Sequence, residues 1–503
     1  VDFMTTGSAT IDVSPSGTVS FQANFDLAAG SLHSTSSGLS VGDGAGISTG
    51  GGSIVFNTDS AALDSTASID AGTGRVTFAP TTTTRPIVYG AFAGAVSLEL
   101  TDAELDTVTG SVLQLGNNTL TADVISFGAT TLDSGRVSAL TIVTSGRVFE
   151  ASFASVQVSD LIVTAGTQIA LVRPGNDFDR VALELTGTGD ISIIDSNSVS
   201  VSTMDGVTGV STSNGNISLN ASDELIVNAT VNARSNGLVQ LASTNNLTIN
   251  SSVMSTMAGT GAAGDGSGTL TLTSSAAAID IQSVLGTNIA TGGISVIADS
   301  GVTLSNGASR ILSAATLTVD ADNDGDGTGN FSLTDAAAQV DVTGNITIDS
   351  ADIQFAGLVR SVSGQILLNP SVTRSIAIGS AVGQYNIDNS DLANLSSTMA
   401  LTIGNGASSI TFDGVTAAAT AGFPAFVLAP ATGVGVSFLN NPSTFADDFN
   451  VSIQFRAATL TVAQAVTLGE GGTTPQGAGA FVVTALGGTT NLDQTAALVV
   501  GSG

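Results

Sequence analysis

Acidic side chains are concentrated in one short stretch, Asp320-Ala321-Asp322-Asn323-Asp324-Gly325-Asp326-Gly327. Carboxylates at alternating positions around a glycine turn are typical of the start of a calcium-binding loop, because Ca²⁺ prefers six to eight oxygen ligands. An EF-hand loop needs a bidentate acid at its twelfth position. Counted from Asp320 that position is Phe331, and counted from Asp322 it is Leu333, so an EF-hand is excluded. Two interpretations stay open. Asp320, Asp322, Asp324 and Asp326 form a looser calcium site, or the stretch is a solvated turn between two strands that binds no cofactor.

The chain offers little for nucleophilic catalysis. It has no Cys, and its single histidine, His33, lies in Ser31-Leu32-His33-Ser34, with no Gly-x-Ser-x-Gly motif around a candidate serine. We expect His33 to be an exposed turn residue. The sequence therefore predicts that the protein is not an enzyme.

Polysaccharide cleavage is the least favoured alternative. It needs clustered carboxylates, and Asp177 with Asp179 and Arg180, or Asp223 with Glu224, are the nearest approach to such a cluster. The chain has no Trp and only 2 Tyr, so it lacks the aromatic platforms that bind sugars.

Composition limits the partners. The 503 residues include 41 acidic and 11 basic side chains, all of the basic ones Arg, and the net charge is -30. A chain this acidic repels nucleic-acid phosphates, and no apolar segment approaches the roughly 18 residues of a transmembrane helix. We expect neither nucleic-acid binding nor membrane insertion. Without Cys or Lys, neither disulfides nor Lys–Asn isopeptide bonds can stabilise the fold.

Short segments in which apolar and polar residues alternate recur along the chain, for example Asn216-Ile217-Ser218-Leu219. This alternation is typical of strands with one buried face, and the Gly, Asn, Asp and Ser residues between segments are typical of turns. The segments come in pairs and repeat about every 25 residues, which is typical of a solenoid. The first strand of each repeat is predicted to begin at Ile191, Ile217, Leu238, Leu270, Ile294, Leu317, Ile346 and Ile366. Second strands are predicted at Leu225, Leu247, Ile279 and Val302.

A unit of this size cannot bury its apolar residues alone, but stacked units can. The sequence therefore predicts an all-β chain folded as a parallel β-helix, or β-solenoid, with coils about 4.8 Å apart. Because aromatic residues are only 4% of the chain, we expect small side chains rather than aromatic rings to fill a narrow interior. The alternative is a tandem β-sandwich array, but its repeat near 100 residues and its buried Trp or tyrosine corner are missing.

Two distant segments resemble each other and indicate a second, longer repeat. Residues 100–117 match residues 387–405, and Asn176-Asp177-Phe178 is echoed by Asp447-Asp448-Phe449. We accordingly divide the chain into an N-terminal solenoid part, residues 1–98, a large solenoid module, residues 99–386, and the start of a second similar module, residues 387–503.

A helical turn is predicted inside each copy of the longer repeat. Thr101 with Glu104, and Asp388 with Asp391, have the spacing of a capping box, in which an N-cap side chain and an acid three residues later bond each other's backbone N–H groups.

Several segments resemble the β-strand-repeat passenger region of filamentous-haemagglutinin-like surface exoproteins. They are residues 100–117 with their Asp-Ala-Glu-Leu-Asp core, residues 160–166, residues 175–179, and the strand pattern of residues 190–405. The resemblance implies a right-handed parallel β-helix exported to the bacterial cell surface, with adhesive or fibrous roles and no catalytic residues. The N-terminal secretion domain of that family is not seen here.

From these observations we expect an extracellular structural solenoid that builds a surface fibre, matrix or adhesin stalk. Its partner would be itself, by end-to-end stacking on a second copy or on further repeats of a longer chain. An adhesin module that binds a surface glycan or protein, and an S-layer-like array protein, are the alternatives.

Two residue types should link neighbouring coils. We expect arginines to pair with carboxylates of adjacent coils, at Arg173, Arg180, Arg234, Arg310 and Arg360. Asn-x-Ser/Thr sequences also recur, and we expect their Asn side chains to stack in ladders at the turns. Glycosylation of these residues is the alternative. They are Asn216, Asn220, Asn228, Asn246, Asn250, Asn330, Asn345, Asn394 and Asn450.

Overall fold

The computed structural model describes residues 9–91, 94, 96–234, 237–256, 268–286, 292–313, 315–404, 406–428, 433–446, 449–455, 459–468, 480–485, 491–494 and 498–500. The chain is 56% strand and 3% helix. It divides into two compact units, residues 1–241 (unit 1) and residues 242–503 (unit 2). Among the described helices, none has the length and apolar character needed to cross a bilayer.

Unit 1 consists of short strands and one helical turn: β1 (Ala9–Val13), β2 (Thr18–Phe21), β3 (Phe25–Asp26), β4 (Gly30–Ser36), β5 (Gly38–Val41), β6 (Gly46–Ser48), β7 (Ile54–Thr58), β8 (Ala61–Leu63), β9 (Ser68–Asp70), β10 (Arg75–Ala79), β11 (Ile87–Gly90), β12 (Leu98–Thr101), α1 (Asp102–Leu105), β13 (Val108–Gly116), β14 (Val124–Ser126), β15 (Ala129–Thr131), β16 (Val137–Val143), β17 (Arg147–Glu150), β18 (Ser155–Ala165), β19 (Gln168–Leu171), β20 (Asp177–Thr188), β21 (Ile191–Asp195), β22 (Val199–Val201), β23 (Thr203–Met204), β24 (Val207–Thr208), β25 (Val210–Asn214), β26 (Ile217–Ala221), β27 (Leu225–Val227) and β28 (Val231–Arg234). β29 (Val239–Ser243) includes the boundary between the units.

Unit 2 has the same character: β30 (Leu247–Ile249), β31 (Val253–Thr256), β32 (Leu270–Ser274), β33 (Ile279–Ile281), β34 (Val284–Gly286), β35 (Ile294–Ala298), β36 (Val302–Leu304), β37 (Arg310–Ser313), β38 (Leu317–Asp320), β39 (Phe331–Leu333), β40 (Gln339–Val342), β41 (Ile346–Ser350), β42 (Ile353–Phe355), β43 (Leu358–Ser361), β44 (Ile366–Pro370), β45 (Arg374–Gly379), β46 (Tyr385–Asp388), α2 (Asn389–Ala393), β47 (Leu395–Ser397), β48 (Leu401–Ile403), β49 (Ala407–Asp413), α3 (Ala417–Thr420), β50 (Ala425–Leu428), β51 (Gly435–Phe438), β52 (Ser443–Phe445), β53 (Asn450–Phe455), β54 (Thr459–Val462), β55 (Val466–Leu468), β56 (Phe481–Ala485), β57 (Asn491–Gln494) and β58 (Leu498–Val500).

Each strand pairs with its equivalent in the next coil. In unit 1, β4, β7 and β10 pair parallel, so that Leu32, Ile54 and Val76 stack in register. In unit 2, β35, β38, β41 and β44 pair parallel in the same way. Apart from the antiparallel β23–β24 hairpin, the pairings whose register is described in the two units are parallel, unlike the antiparallel ladders of a β-sandwich. The predicted β-solenoid is confirmed.

The strand prediction from the repeat is accurate to one residue. Strands begin at Ile191, Ile217, Leu270, Ile294, Leu317, Ile346 and Ile366, and second strands at Leu225, Leu247, Ile279 and Val302. Predicted at Leu238, β29 begins instead at Val239, although the Leu238 carbonyl accepts a bond from the Ile217 N–H at 2.8 Å.

Phenylalanine rings occupy the interior, and the expectation that aromatic rings fit poorly there is wrong. Phe56 and Phe78 are in register on adjacent coils, with ring centroids 5.3 Å apart. Phe412 and Phe438 stack in the same way at 4.7 Å. Because parallel strands repeat about every 4.8 Å, rings at equivalent positions can stack on one another, and the ladder itself creates their packing partner.

Both predicted capping boxes are present. At α1 the Glu104 N–H donates to the Thr101 hydroxyl, and the Thr101 N–H donates to Glu104 at 2.8 Å. Asp388 and Asp391 form the same reciprocal pair at α2. The module boundaries proposed from the longer repeat stay predictions, and Asn405, Asp447 and Asp448 lie outside the described residues.

The acid of each box also bonds a neighbouring strand. Glu104 accepts the Leu63 N–H at 3.0 Å, and Asp391 accepts the Phe355 N–H at 2.7 Å. Each helical turn is therefore tied to a strand that precedes it in the chain, which gives the same construction in both units.

A hairpin made of β23 and β24, which we call the strap (residues 203–208), leaves the coil of unit 1. Its turn contains Asp205, at φ 48°, and Gly206, at φ 83°. Val207 of the strap packs against Ala139, Ile162 and Ala182, which lie on three successive strands, β16, β18 and β20. The strap thus covers apolar side chains on the outer surface of these strands.

Candidate functional site

The acidic stretch forms the turn between β38 and β39 in unit 2. Val319 and Phe331, near its two ends, are fully buried and anchor it. Asp322 is also buried, whereas Asp324 and Asp326 are exposed. Gly325 and Gly327, at φ 65° and 85°, supply the left-handed backbone that the turn requires.

Three of the four predicted metal-ligating residues come together. One carboxylate oxygen from each of Asp322, Asp324 and Asp326 lies within 4.8 Å of the other two. Asp322 is held in place because its oxygens accept the Gly327 N–H, at 3.0 and 3.2 Å, and the hydroxyl of Ser371. The Thr328 hydroxyl, which donates to Asp326 at 2.7 Å, lowers the pKa of that carboxyl. The arrangement offers oxygen ligands of the kind Ca²⁺ prefers.

The fourth residue, Asp320, lies on β38 in register with Asp349 of β41. Burial raises the pKa of Asp320, and the negative charges of Asp349, Asp322 and Asp299 raise it further. Whether this acidic region binds calcium stays a prediction.

Sequence reasoning missed the neighbours of the turn, because they come from other coils. The Arg374 guanidinium donates to the Gly327 carbonyl of the turn, and also to the carbonyls of Ala351 at 2.9 Å and Gln384 at 3.2 Å. Asn323 donates to Asp299 of the preceding coil at 3.3 Å. Only the strand register could have indicated these contacts.

His33 lies on β4, not in a turn as expected. Its Nδ1 is 3.1 Å from Asp12 Oδ1, and its Nε2 is 2.8 Å from Asn57 Nδ2. β4 lies between β1 and β7 in the sheet, so these two contacts join three successive strands. The histidine links coils instead of facing a serine.

The acids considered for polysaccharide cleavage bond neighbouring coils. Asp177 accepts from the Asn197 amide at 2.7 Å, and Asp179 accepts from the Ser159 hydroxyl at 2.6 Å. Asp223 accepts from the Ser198 hydroxyl at 2.8 Å. The absence of enzymatic activity stays a prediction.

The arginine prediction is confirmed in part. Arg180 bonds Asp160 through two nitrogens, at 2.6 and 2.7 Å, and Arg360 forms an ion pair of 2.5 Å with Asp341. Arg310 instead donates to backbone carbonyls, including that of Ala337 at 2.6 Å. Within the described part of the chain, Arg173, Arg234 and Arg310 form no ion pair. Arg173, like Arg310, donates to a backbone carbonyl, that of Ala151 at 3.1 Å.

Asn side chains connect neighbouring coils within each unit. The Oδ1 of Asn216 accepts the Leu238 N–H at 2.9 Å, that of Asn345 accepts the Gln365 N–H at 3.0 Å, and that of Asn450 accepts the Ala480 N–H at 2.9 Å. These three residues bond the backbone of the next coil rather than another Asn, so the stacked ladders, like glycosylation, stay a prediction.

No protein-family model matches the chain, and comparison with curated proteins and with solved structures gives no match.

Proposed function

We propose that the protein is an extracellular structural β-solenoid that builds a surface fibre, matrix or adhesin stalk by end-to-end stacking. The observation that carries this proposal is the continuous parallel pairing of equivalent strands within each unit. Backbone hydrogen bonds in such a ladder run from coil to coil, so stretching along the stacking direction must break many of them together.

Side chains add a second set of links in the same direction. Ion pairs such as Arg180–Asp160 and Arg147–Asp123 join residues about one coil apart, both at 2.6 Å. The Asn216, Asn345 and Asn450 bonds act in the same sense. These links suit a load-bearing element that has neither disulfides nor Lys-based cross-links.

Location at the bacterial cell surface rests on the resemblance to filamentous-haemagglutinin-like exoproteins. The parallel β-repeat architecture is what this resemblance implies, and the strong negative charge would keep an apolar, repetitive chain soluble outside the cell.

Adhesion to a surface glycan or protein is the second candidate. It is favoured by rows of small polar side chains in register on successive coils, such as Ser295, Thr318 and Thr347. A binding assay of the full chain against surface glycans separates an adhesin from a purely structural element.

Electron microscopy of the purified full chain over a range of concentrations tests the structural role. End-to-end stacking is a head-to-tail contact that does not close, so we expect filaments whose length grows with concentration. Particles of one chain length at every concentration would contradict stacking, and strings of separate globules would contradict the solenoid as well.

A further inference from the structure

A cavity of about 580 Å³ opens on the surface of unit 1. Three stretches of chain line it, namely residues 65–68, residues 106–107, and Asp133 with Arg136. These stretches lead into β9, β13 and β16, and β13 pairs parallel with both of the other strands. The cavity therefore spans three successive coils at one corner of the solenoid.

The floor of this cavity is buried, and its rim is exposed and polar. Ala67 and Thr107 are buried, whereas Ser65, Asp106 and Arg136 are exposed. The Arg136 guanidinium donates to the backbone carbonyl of Asp106 and so joins two of the coils. Among the described residues Arg136 forms no ion pair, which leaves its charge available to a ligand.

The cavity is open because the side chain of Thr107 is short and turns back. Its hydroxyl donates to the Glu104 carbonyl at 2.7 Å, within the same coil. In unit 2 the matching position of the longer repeat is Asn394, whose amide donates to the Phe355 carbonyl of the preceding coil at 2.6 Å. A threonine is too short for such a link between coils, so the space beside Thr107 stays unfilled.

The chemistry of the lining restricts the ligand. A guanidinium only donates hydrogen bonds, the carboxylates of Asp106 and Asp133 only accept them, and serine hydroxyls do both. A cation could not accept from Arg136, and an anion would meet two carboxylates in a chain of net charge -30. A neutral molecule with several hydroxyl groups matches every lining group, because each hydroxyl donates and accepts.

We propose that this cavity binds a sugar unit of a neutral surface glycan. Arg136 donates to oxygens of the sugar, and Asp106 and Asp133 accept from its hydroxyls. The inference rests on adhesion, the second candidate function, and gives it a place on the fold. The volume is that of a small-molecule site. None of the lining residues is aromatic, so hydrogen bonds rather than ring stacking hold the sugar, and several copies acting together would strengthen a weak single contact.

Binding of the full chain to an array of immobilised oligosaccharides tests the site, with neutral, uronic-acid and amino-sugar members. The wild type should bind neutral members. Arg136→Gln removes the charged donor and should weaken binding about tenfold or more. Thr107→Asn, which introduces the residue that unit 2 has, should weaken it to a similar extent by filling the cavity. The control is Thr167→Asn, the same change in an exposed turn of unit 1, and it should bind like the wild type.

The possible outcomes separate the site from adhesion itself. Equal binding by the wild type and both cavity variants would overturn the site and leave adhesion in place. No binding of the wild type to any member would overturn both, and filament growth still tests the structural role independently. Stronger binding to uronic-acid or amino-sugar members than to neutral ones would overturn the neutral ligand. If Thr107→Asn fails to fold, Arg136→Gln decides alone, because its exposed side chain can change without altering the unfolding midpoint.

Discussion

Asp205 forms an ion pair with Arg75, 130 residues away in the sequence, with Asp205 Oδ1 at 2.5 Å from Arg75 Nη2. Its other carboxylate oxygen accepts the Thr141 hydroxyl at 2.9 Å. Since Arg75 lies on β10 and Thr141 on β16, the turn of the strap is fixed at several successive coils of unit 1. The strap acts across the stack, in addition to the ladder that joins each coil to the next.

Asp205→Asn should loosen the strap. The change removes the charge of a partly buried ion pair, and we expect a loss of about 1 kcal/mol in the local stability of the strap. Amide hydrogen exchange should become faster in residues 203–208 and on the surface they cover. The control Asp341→Asn breaks the Arg360 ion pair elsewhere and should leave this exchange unchanged. Equal exchange in Asp205→Asn and wild type would contradict the role of the pair.

Gly215→Ala should disturb the stacking of two coils. A Cβ at position 215 would lie 1.6 Å from the Gly189 carbonyl oxygen, so the backbone of one coil must move. We expect a cost of about 2 kcal/mol or more, as for other overpacked sites, seen as a lower midpoint of thermal unfolding. Gly17→Ala is the control, because a Cβ there meets nothing within 4 Å. Similar midpoints for the two variants would show that the corner tolerates the shift.

Acidification from pH 8 to about pH 5 should stabilise the protein through Asp195 and Asp391. Burial raises the pKa of each carboxyl from 3.8 to about 6. Between these values the folded protein binds protons that the unfolded chain does not, so the free energy of unfolding rises as the pH falls, by on the order of 2 kcal/mol per group. The gain is complete below the unfolded pKa and is lost as the pH rises through 6.

Thermal unfolding of Asp195→Asn and Asp391→Asn at several pH values checks this. Each variant should have a smaller rise in midpoint between pH 8 and pH 5 than the wild type. Glu184→Gln, at an exposed position, should follow the wild type and controls for the overall change in net charge. If all three variants respond to pH alike, general charge repulsion is the cause.

Calcium titration tests the turn of Asp322, Asp324 and Asp326. If the turn binds the ion, calorimetry should give heat, the unfolding midpoint should rise, and a chelator should reverse the rise. Asp324→Asn combined with Asp326→Asn should abolish both effects, because it removes the two exposed ligands. Asp335→Asn, in the next turn along the chain, should change neither. Absence of heat in the wild type would establish the solvated turn instead.

Most of the fold could be predicted from sequence patterns within single strands and turns. The alternation around Ile294 or Leu317 depends on each strand alone, since one face is buried whatever lies above it. The capping boxes at Thr101 and Asp388 are equally local. For these reasons the strand starts and both helical turns could be read from the sequence.

Contacts between coils could not be read in this way. The approach of Asp349 to Asp320 depends on the register of two strands, and the strap depends on residues 130 apart. The stacking of Phe56 on Phe78 arises only after the register is fixed. Because the coils differ in length, the number of residues between two paired positions is not constant. Such partners therefore cannot be found by counting along the sequence.

That same irregularity has a consequence for how such a chain can change. Ile294, Leu317, Ile346, Ile366 and Leu401 occupy successive rungs of one interior column, yet the intervals between them run from 20 to 35 residues. The rise from one coil to the next is set by the backbone hydrogen bonds between paired strands, and not by the number of residues in each coil. Insertions and deletions in the turns between strands can therefore accumulate over evolutionary time and change the shape of the outer surface, while the spacing between coils is preserved.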